Sequence, residues 1–259
     1  AFSADGNAIS GAMTQAGMAM PLNLDRATPQ TAWAIPEPPA PLKPMDPKAA
    51  PGIEVSTIKP SAPGTQGKGF TMRGVQVLGI NLSVQDMISF AYSLHERQIT
   101  GGPAWISGDK FEVVMKPDTP GQPNVEQFRK LFQKLLAERF QLKFHNEKRE
   151  LSVYALTHPA NTPHKLTPSA AGQNLPSLGF PRLGLLPARN ATMAEFAGSL
   201  QGAVMDRPVL DQTGIEGRYD FTLDWTPDQF QFATLGGVPP QATDTGKPNI
   251  FQAIQEQLG

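Results

Sequence analysis

The feature that most limits the fold is a strand–helix pattern that occurs twice. The strand-like stretch FEVVMKPD, from Phe111, precedes the amphipathic LFQKLLAERF, and YDFTLDWTPD, from Tyr219, precedes IFQAIQEQLG. Residues 131–133 of the first helix align with 250–252 of the second. In the first copy, QLKFH and ELSVYALTHP follow, and they favour a hairpin. The pattern therefore predicts two related β–α–β–β units, with the last strands of the second unit missing.

Both strand-like stretches alternate between apolar and polar residues, which is typical of strands with one buried and one wet face. The helix between them, NVEQFRKLFQKLLAERF, carries a wide apolar stripe. Two more helices begin with capping boxes, Ser83 with Asp86 and Thr192 with Glu195. The sequence predicts an α+β domain over residues 53–259 with mainly antiparallel sheets and possible sub-units at 53–160 and 180–259.

Residues 1–34 differ in composition from this domain. Ile9, Met13, Ala16 and Met20 recur at helical spacing, but glycines are interleaved with them. Each glycine costs a helix about 1 kcal/mol relative to alanine. We therefore expect either a disordered leader or a segment that becomes ordered only against a partner.

A proline-rich segment, residues 35–52, connects this leader to the domain. Its prolines favour the extended polyproline II conformation, which could span roughly 50 Å. The segment is either a passive linker or an arm that lies along another subunit. The candidate partner-binding residues are Ile9, Met13, Met20, Trp33, Pro36, Pro38, Pro39 and Pro41.

Composition excludes several classes of function. The chain contains no cysteine, so disulfides, thiolate metal sites and cysteine nucleophiles are excluded. The formal net charge of −1 gives no field that would recruit nucleic acid. No apolar run approaches the roughly 18 residues of a membrane-spanning helix. The first residues, AFSADGN, are typical of a chain after signal-peptide removal, which predicts an exported protein.

The acidic stretch DRPVLDQTGIEGRYDFTLDWTPD was tested for catalytic and metal chemistry. Its Asp-Gln-Thr-Gly lacks the spacing and the second copy of an aspartic protease, and it favours a tight turn. The acids also lack the spacing of a calcium-binding loop. We predict no catalytic residue, no metal and no cofactor. The candidate ligand-binding residues are Trp105, Arg218, Asp220 and Asp224.

Several phrases occur in an order that resembles a known family. They are FTMRGVQVLGINLSVQDMISFAYSL, ITGGPAWISGDKFEV, LLAERFQLKFHNEKRELSVYAL, RNATMAEFAGSL and RPVLDQTGIEGRYDFTLDWTPD. Over about residues 53–259, the chain is similar to the soil-associated acidobacterial family of exported proteins built on a domain of unknown function. The resemblance implies no catalytic residues. It implies two more strands after QEQLG and favours sensing or binding over catalysis.

Three hypotheses remain open. The first is an exported, non-catalytic binding or assembly module, an accessory subunit that docks on another protein, or on itself, through the N-terminal arm and a sheet edge. The second is a ligand-sensing domain that binds a peptide or glycan through Trp105, Trp225 and the long loops. The third is a hydrolase that uses carboxylates near Asp206–Asp228 together with the Gly101–Trp105 turn.

Overall fold

The structure is a computed structural model that describes residues 2–15, 18–32, 42–65, 67–159, 162–170, 175–232 and 246–259. Its contacts divide the chain into two units, Ala1–Pro41 and Leu42–Gly259.

The first unit is an antiparallel hairpin of strands β1 (Ala8–Gln15) and β2 (Met18–Asp25). The pairing runs without a register shift from Ala8 opposite Asp25 to Gln15 opposite Met18. The helical spacing of Ile9, Met13 and Met20 therefore does not correspond to a helix, because these residues lie on two paired strands. The residues Ile9, Met20, Leu22 and Leu24 instead follow the two-residue alternation of strands.

The second unit contains ten strands and five α-helices among its described residues. In chain order they are β3 (Ile53–Pro60), β4 (Gly69–Arg73), β5 (Gln76–Leu82), α1 (Val84–Tyr92), α2 (Trp105–Gly108), β6 (Phe111–Pro117), α3 (Val125–Arg139), β7 (Tyr154–Thr157), β8 (Thr167–Pro168), β9 (Ser177–Leu178), β10 (Leu185–Ala191), α4 (Met193–Ser199), β11 (Val209–Gln212), β12 (Tyr219–Asp224) and α5 (Ile250–Leu258). A 3₁₀ turn covers Glu96–Gln98, and a π-helical turn, Leu200–Val204, extends α4.

Two four-stranded sheets in this unit have the same topology. Their strand orders are β3-β6-β5-β4 and β8-β12-β10-β9, and every neighbouring pair is antiparallel. The register shifts at equivalent places, between Gly79 and Leu82 in the first sheet and between Ala188 and Ala191 in the second. The predicted α+β class with mainly antiparallel sheets is confirmed, and the unit is a tandem duplication.

The duplicated element is larger than the sequence pattern indicated. Each copy runs β-β-β-α-β-α, with α1 and α3 in the first copy corresponding to α4 and α5 in the second. α3 and α5 both begin at an asparagine N-cap, Asn124 and Asn249, which bonds the N–H of a glutamine three residues later. The alignment of 131–133 with 250–252 was therefore out of register by more than one turn. The second copy has a counterpart for each of the four sheet strands of the first.

The predicted hairpin after α3 does not form. Residues 141–153 contain no strand, and β7 pairs in parallel with β11 of the second copy. The Tyr154 N–H donates to the Pro208 carbonyl at 2.8 Å. The strand predicted from ELSVYAL is present at Tyr154–Thr157, but it pairs with β11, which is distant in sequence.

Each copy has its own apolar core. In the first copy, the core is formed by α1, α3 and the inner face of the sheet, with Phe132, Met87 and Met115 fully buried. In the second copy, Trp225 and Phe196 are fully buried between the sheet, α4 and α5. Burial of one such side chain stabilises the fold by about 1.5–3 kcal/mol.

Residues 42–52, here called the strap, belong to the second unit. Met45 is only 2% exposed, and its N–H donates to the Gln122 carbonyl at 2.8 Å. The Gln127 amide donates to the Asp46 carbonyl at 2.7 Å and to the Ala49 carbonyl at 3.1 Å. The predicted linker, residues 35–52, therefore differs from the structure over the strap, because these backbone carbonyls are held by α3.

Candidate interaction surface

The hairpin of the first unit has one apolar and one polar face. Directly paired residues on antiparallel strands share a face, and successive pairs alternate between faces. The pairs Ile9–Leu24, Gly11–Leu22 and Met13–Met20 form the apolar face of the hairpin. The opposite face is formed by the pairs Ala8–Asp25, Ser10–Asn23, Ala12–Pro21 and Thr14–Ala19.

The described side chains of the apolar face are exposed. Ile9 and Met20 are each 40% exposed, Leu22 is 36% exposed and Leu24 is 50% exposed. A two-stranded hairpin alone is at best marginally stable in water. A contiguous exposed apolar surface is a feature by which interaction sites are recognised. The apolar face is therefore the strongest candidate interaction surface on the described residues.

The edges of the hairpin are less suitable for strand addition. The Arg26 N–H donates to the Asn7 carbonyl at 2.6 Å, so these two residues form a hydrogen-bonded pair. Such pairs alternate along an antiparallel ladder with pairs whose backbone N–H and C=O groups point away from the partner strand. By this alternation, the backbone nitrogen of Pro21 faces the outer edge of β2. Proline has no N–H to donate there, which makes that edge less able to pair with another strand. Near the start of β1, Phe2 forms an isolated antiparallel β-bridge with Ile9, which occupies part of that edge. The face, and not an edge, is thus the more accessible surface.

The sheet edge proposed for docking is also short. The edge strands of the second four-stranded sheet are β8 and β9, with two residues each. Strands of this length offer few backbone groups to a partner.

Three of the predicted partner-binding residues lie together. Ile9, Met13 and Met20 all fall on the apolar face by register. The other five, Trp33, Pro36, Pro38, Pro39 and Pro41, lie outside the described residues. Sequence reasoning missed Leu22 and Leu24, which alternation along MAMPLNLD could have indicated.

The predicted ligand-binding residues Arg218 and Asp220 are engaged by their own chain. The Arg218 guanidinium donates to both Glu195 carboxylate oxygens, at 2.9 and 3.1 Å, and to the Asn190 carbonyl at 2.5 Å. Asp220 Oδ1 accepts from the Ser169 hydroxyl at 2.6 Å and from the Asn190 N–H at 2.8 Å. These bonds from Ser169 and Asn190 lower the pKa of Asp220.

The first copy contains the same arrangement. Glu112 Oε1 accepts from the Ser61 hydroxyl at 2.8 Å and from the Asn81 N–H at 3.0 Å. Lys110 Nζ lies 3.2 Å from a carboxylate oxygen of Asp86, and in the second copy Arg218 Nη1 lies 2.9 Å from a carboxylate oxygen of Glu195. Asn81 and Asn190 both have a φ of +51°, in the left-handed region, at the register shift of their strands. The recurrence indicates that these groups stabilise the bend of the strand.

Asp224 is neutralised by two cations. Arg182 Nη2 lies 2.8 Å from Oδ1, and Lys247 Nζ also contacts the carboxylate. Partial burial alone would raise the pKa of Asp224, but the bonds from Lys247 and Arg182 hold it below its usual value. The pKa of Asp206 is also below its usual value. Burial alone would raise this pKa, but the hydrogen bond and charge of Arg207, together with Tyr154 and Arg97, lower it by more. A shared-proton carboxylate pair requires one raised pKa, which these residues do not have.

The two tryptophans predicted to bind a ligand lie in different copies. Trp105 is 41% exposed on α2 and stacks on Phe140 with ring centroids 6.5 Å apart. Trp225 is fully buried, and its Nε1 donates to Gln231 Oε1 at 2.8 Å. Trp225 is therefore a core residue, and Trp105 is the tryptophan that a ligand could reach.

The described residues include no group of three or more histidine, aspartate or glutamate side chains placed to hold a metal ion. In the part of the chain that the structure covers, no helix combines the length and apolarity needed to cross a bilayer.

Fold and surface together define a class: a duplicated α+β module with an amphipathic hairpin on a separate unit. Residues 85–259 match the family described as a protein of unknown function (DUF3738), and the chain belongs to that family. The match begins in α1 and covers the whole second copy. No curated protein and no solved structure matches the chain.

Proposed function

We propose that this protein is an exported, non-catalytic binding or assembly module, an accessory subunit that docks on another protein through the apolar face of its N-terminal hairpin. The single observation that carries the proposal is that face, whose described apolar side chains are 36–50% exposed on a two-stranded hairpin. Export and an acidobacterial origin follow from the family resemblance and are part of the proposal.

The energetics support docking. Each side chain of the apolar face that a partner covers contributes about 25 cal/mol per Å² of apolar area removed from water. Methionine adapts its shape to different partner surfaces, and two of the residues on this face, Met13 and Met20, are methionines. Three acidic residues of the stretch 206–228, Asp206, Asp220 and Asp224, are in contrast bound within the chain, which favours binding over acid–base chemistry.

The test is site-specific photo-cross-linking in the native host. A benzoylphenylalanine at Leu22, on the apolar face, should form a defined cross-link to another polypeptide. The same group at Asn23, the next residue on the opposite face, is the matched control and should form none. Equal cross-linking from both positions, or none from Leu22, would refute docking through this face.

A truncation provides an independent check. Removal of residues 1–41 should abolish co-purification of the partner while the far-ultraviolet circular dichroism of the second unit stays unchanged. The truncation has to end at Pro41, because the strap is part of the second unit. Full co-purification of the truncated protein would contradict the proposal.

The exposed indole of Trp105 favours ligand sensing as a second candidate. A peptide or glycan that stacks on Trp105 should change its fluorescence, and a Trp105→Phe variant should lose the response while the buried Trp225 still reports folding. A response that survives in Trp105→Phe would remove this candidate.

A further inference from the structure

Within strands β1 and β2 the apolar face of the hairpin contains no charged residue, and Arg26, opposite Asn7, lies beyond Leu24 at the end of that face. Strands β1 and β2 together contain one charged residue, Asp25, and by register it lies on the opposite face. Neither strand contains lysine, arginine or an aromatic residue, the side chains by which amphipathic segments bind anionic membranes. The partner surface is therefore apolar and uncharged, and a lipid surface is disfavoured.

The face also has a knob beside a hole. Gly11 has no side chain, and a Cβ built on it would meet nothing within 4 Å. Its cross-strand neighbour is Leu22, which is 36% exposed. A leucine next to an open glycine position in the middle of a face is self-complementary under one rotation. If a second hairpin is turned about an axis parallel to the strands, its Gly11 lies over Leu22 and its Leu22 lies over Gly11.

We propose that this face packs against the same face of a second copy of the chain, with each Leu22 inserted at the Gly11 of the other copy. This inference rests on the proposed function and names its partner as the chain itself. The same rotation places Ile9 over Leu24, so a large apolar residue meets a large apolar residue there as well. Both copies of Asp25 lie on outer faces, and no like charges meet inside the contact.

The size of the contact sets the expected affinity. Eight residues at about 3.4 Å each and two strands about 4.8 Å apart give a footprint of roughly 27 by 10 Å. This is well below the roughly 800 Å² per partner of a standard interface. We therefore expect a reversible, concentration-dependent dimer with a dissociation constant in the micromolar range or weaker.

Sedimentation velocity of the full chain over a wide concentration range tests the dimer. Gly11→Leu fills the hole and Leu22→Ala removes the knob, and each should weaken dimerisation about tenfold or more. Gly11→Leu is compatible with the hairpin, because Gly11 does not have a positive φ and its Cβ position is open. The combined Gly11→Leu and Leu22→Ala variant should recover dimerisation, since it restores one knob and one hole. Asn23→Ser, on the opposite face, is the control and should leave the dimer unchanged.

Cross-linking keeps the proposal testable if a variant fails to fold. The natural chain has no cysteine, so single substitutions can be labelled cleanly. A mixture of Gly11→Cys and Leu22→Cys chains with a short bis-maleimide should give the mixed dimer. A mixture of Gly11→Cys and Asn23→Cys chains should not.

The outcomes separate this inference from the proposed function. A wild-type chain that remains monomeric at all concentrations, or a mixed dimer that forms equally with Asn23→Cys, overturns the inference. If Leu22 then still cross-links a different protein in the host, the proposed docking function stands. If Leu22 cross-links nothing, both fail.

Discussion

The replacement Met45→Ala tests whether the strap is part of the folded unit. Met45 is 2% exposed and lies between two backbone bonds that join the strap to Gln122. Truncating a buried methionine to alanine costs about 2–5 kcal/mol. The strap lies at the margin of the unit and can partly close the cavity, so we expect a loss of about 2–3 kcal/mol. Most domains have only about 5–15 kcal/mol of stability, so this loss is a large fraction.

Urea unfolding followed by circular dichroism measures this loss as a lower midpoint with an unchanged slope. Leu42→Ala is the matched control, because Leu42 lies in the same strap and is 46% exposed. The control should change the free energy of unfolding by less than about 0.5 kcal/mol. If Met45→Ala and Leu42→Ala unfold at the same midpoint, the strap does not contribute to the fold and the folded unit begins at the first sheet.

Two further predictions concern the first copy and the strap. In the folded protein, burial works to raise the pKa of Asp86, but Lys68 at 2.5 Å outweighs it and the pKa falls below its usual 3.8. The stabilisation is present above 3.8 and is lost as the pH falls through the folded pKa, so Asp86→Asn should cost about 1 kcal/mol at neutral pH and progressively less as the pH falls below 3.8. A pH-independent cost would contradict this reasoning. Gly121 has a φ of +102°, and a Cβ there would lie 2.7 Å from the Met45 backbone, so Gly121→Ala should destabilise by about 1–3 kcal/mol. Gly179→Ala, where the Cβ position is open, should be nearly neutral in the same urea titration, and equal effects would refute the contact.

Local periodicity predicted most elements of the second unit because the signals lie within a few residues of one another. The capping boxes at Ser83 and Thr192 are present, and alternation placed Phe221 and Leu223 in the core. The pairing of β7 with β11 could not be predicted in this way. It joins residues about fifty positions apart, and their local sequence favours a strand without specifying its partner.

The hairpin of the first unit was missed for a different reason. Ile9 and Met13 are four residues apart, and this spacing satisfies a helical period and a strand period equally. Gly11 lies midway between Ile9 and Met13. It argued against a helix, but it was not recognised as a position on the same face of a strand. Only two residues connect Gln15 and Met18, a connection length that is typical of hairpins. That length was the signal that could have decided between the two periods.

The duplication provides a criterion for separating structural from functional residues. Arg218 and Asp220 stood out in the sequence as an acidic and basic cluster, but Lys110 and Glu112 make the same contacts in the first copy. A contact that both copies keep is explained by the fold that both copies share. The features to examine for function are therefore those without a counterpart in the other copy. Among the described residues, the exposed Trp105 on α2 and the hairpin that precedes both copies meet this criterion, and the hairpin carries the larger apolar surface.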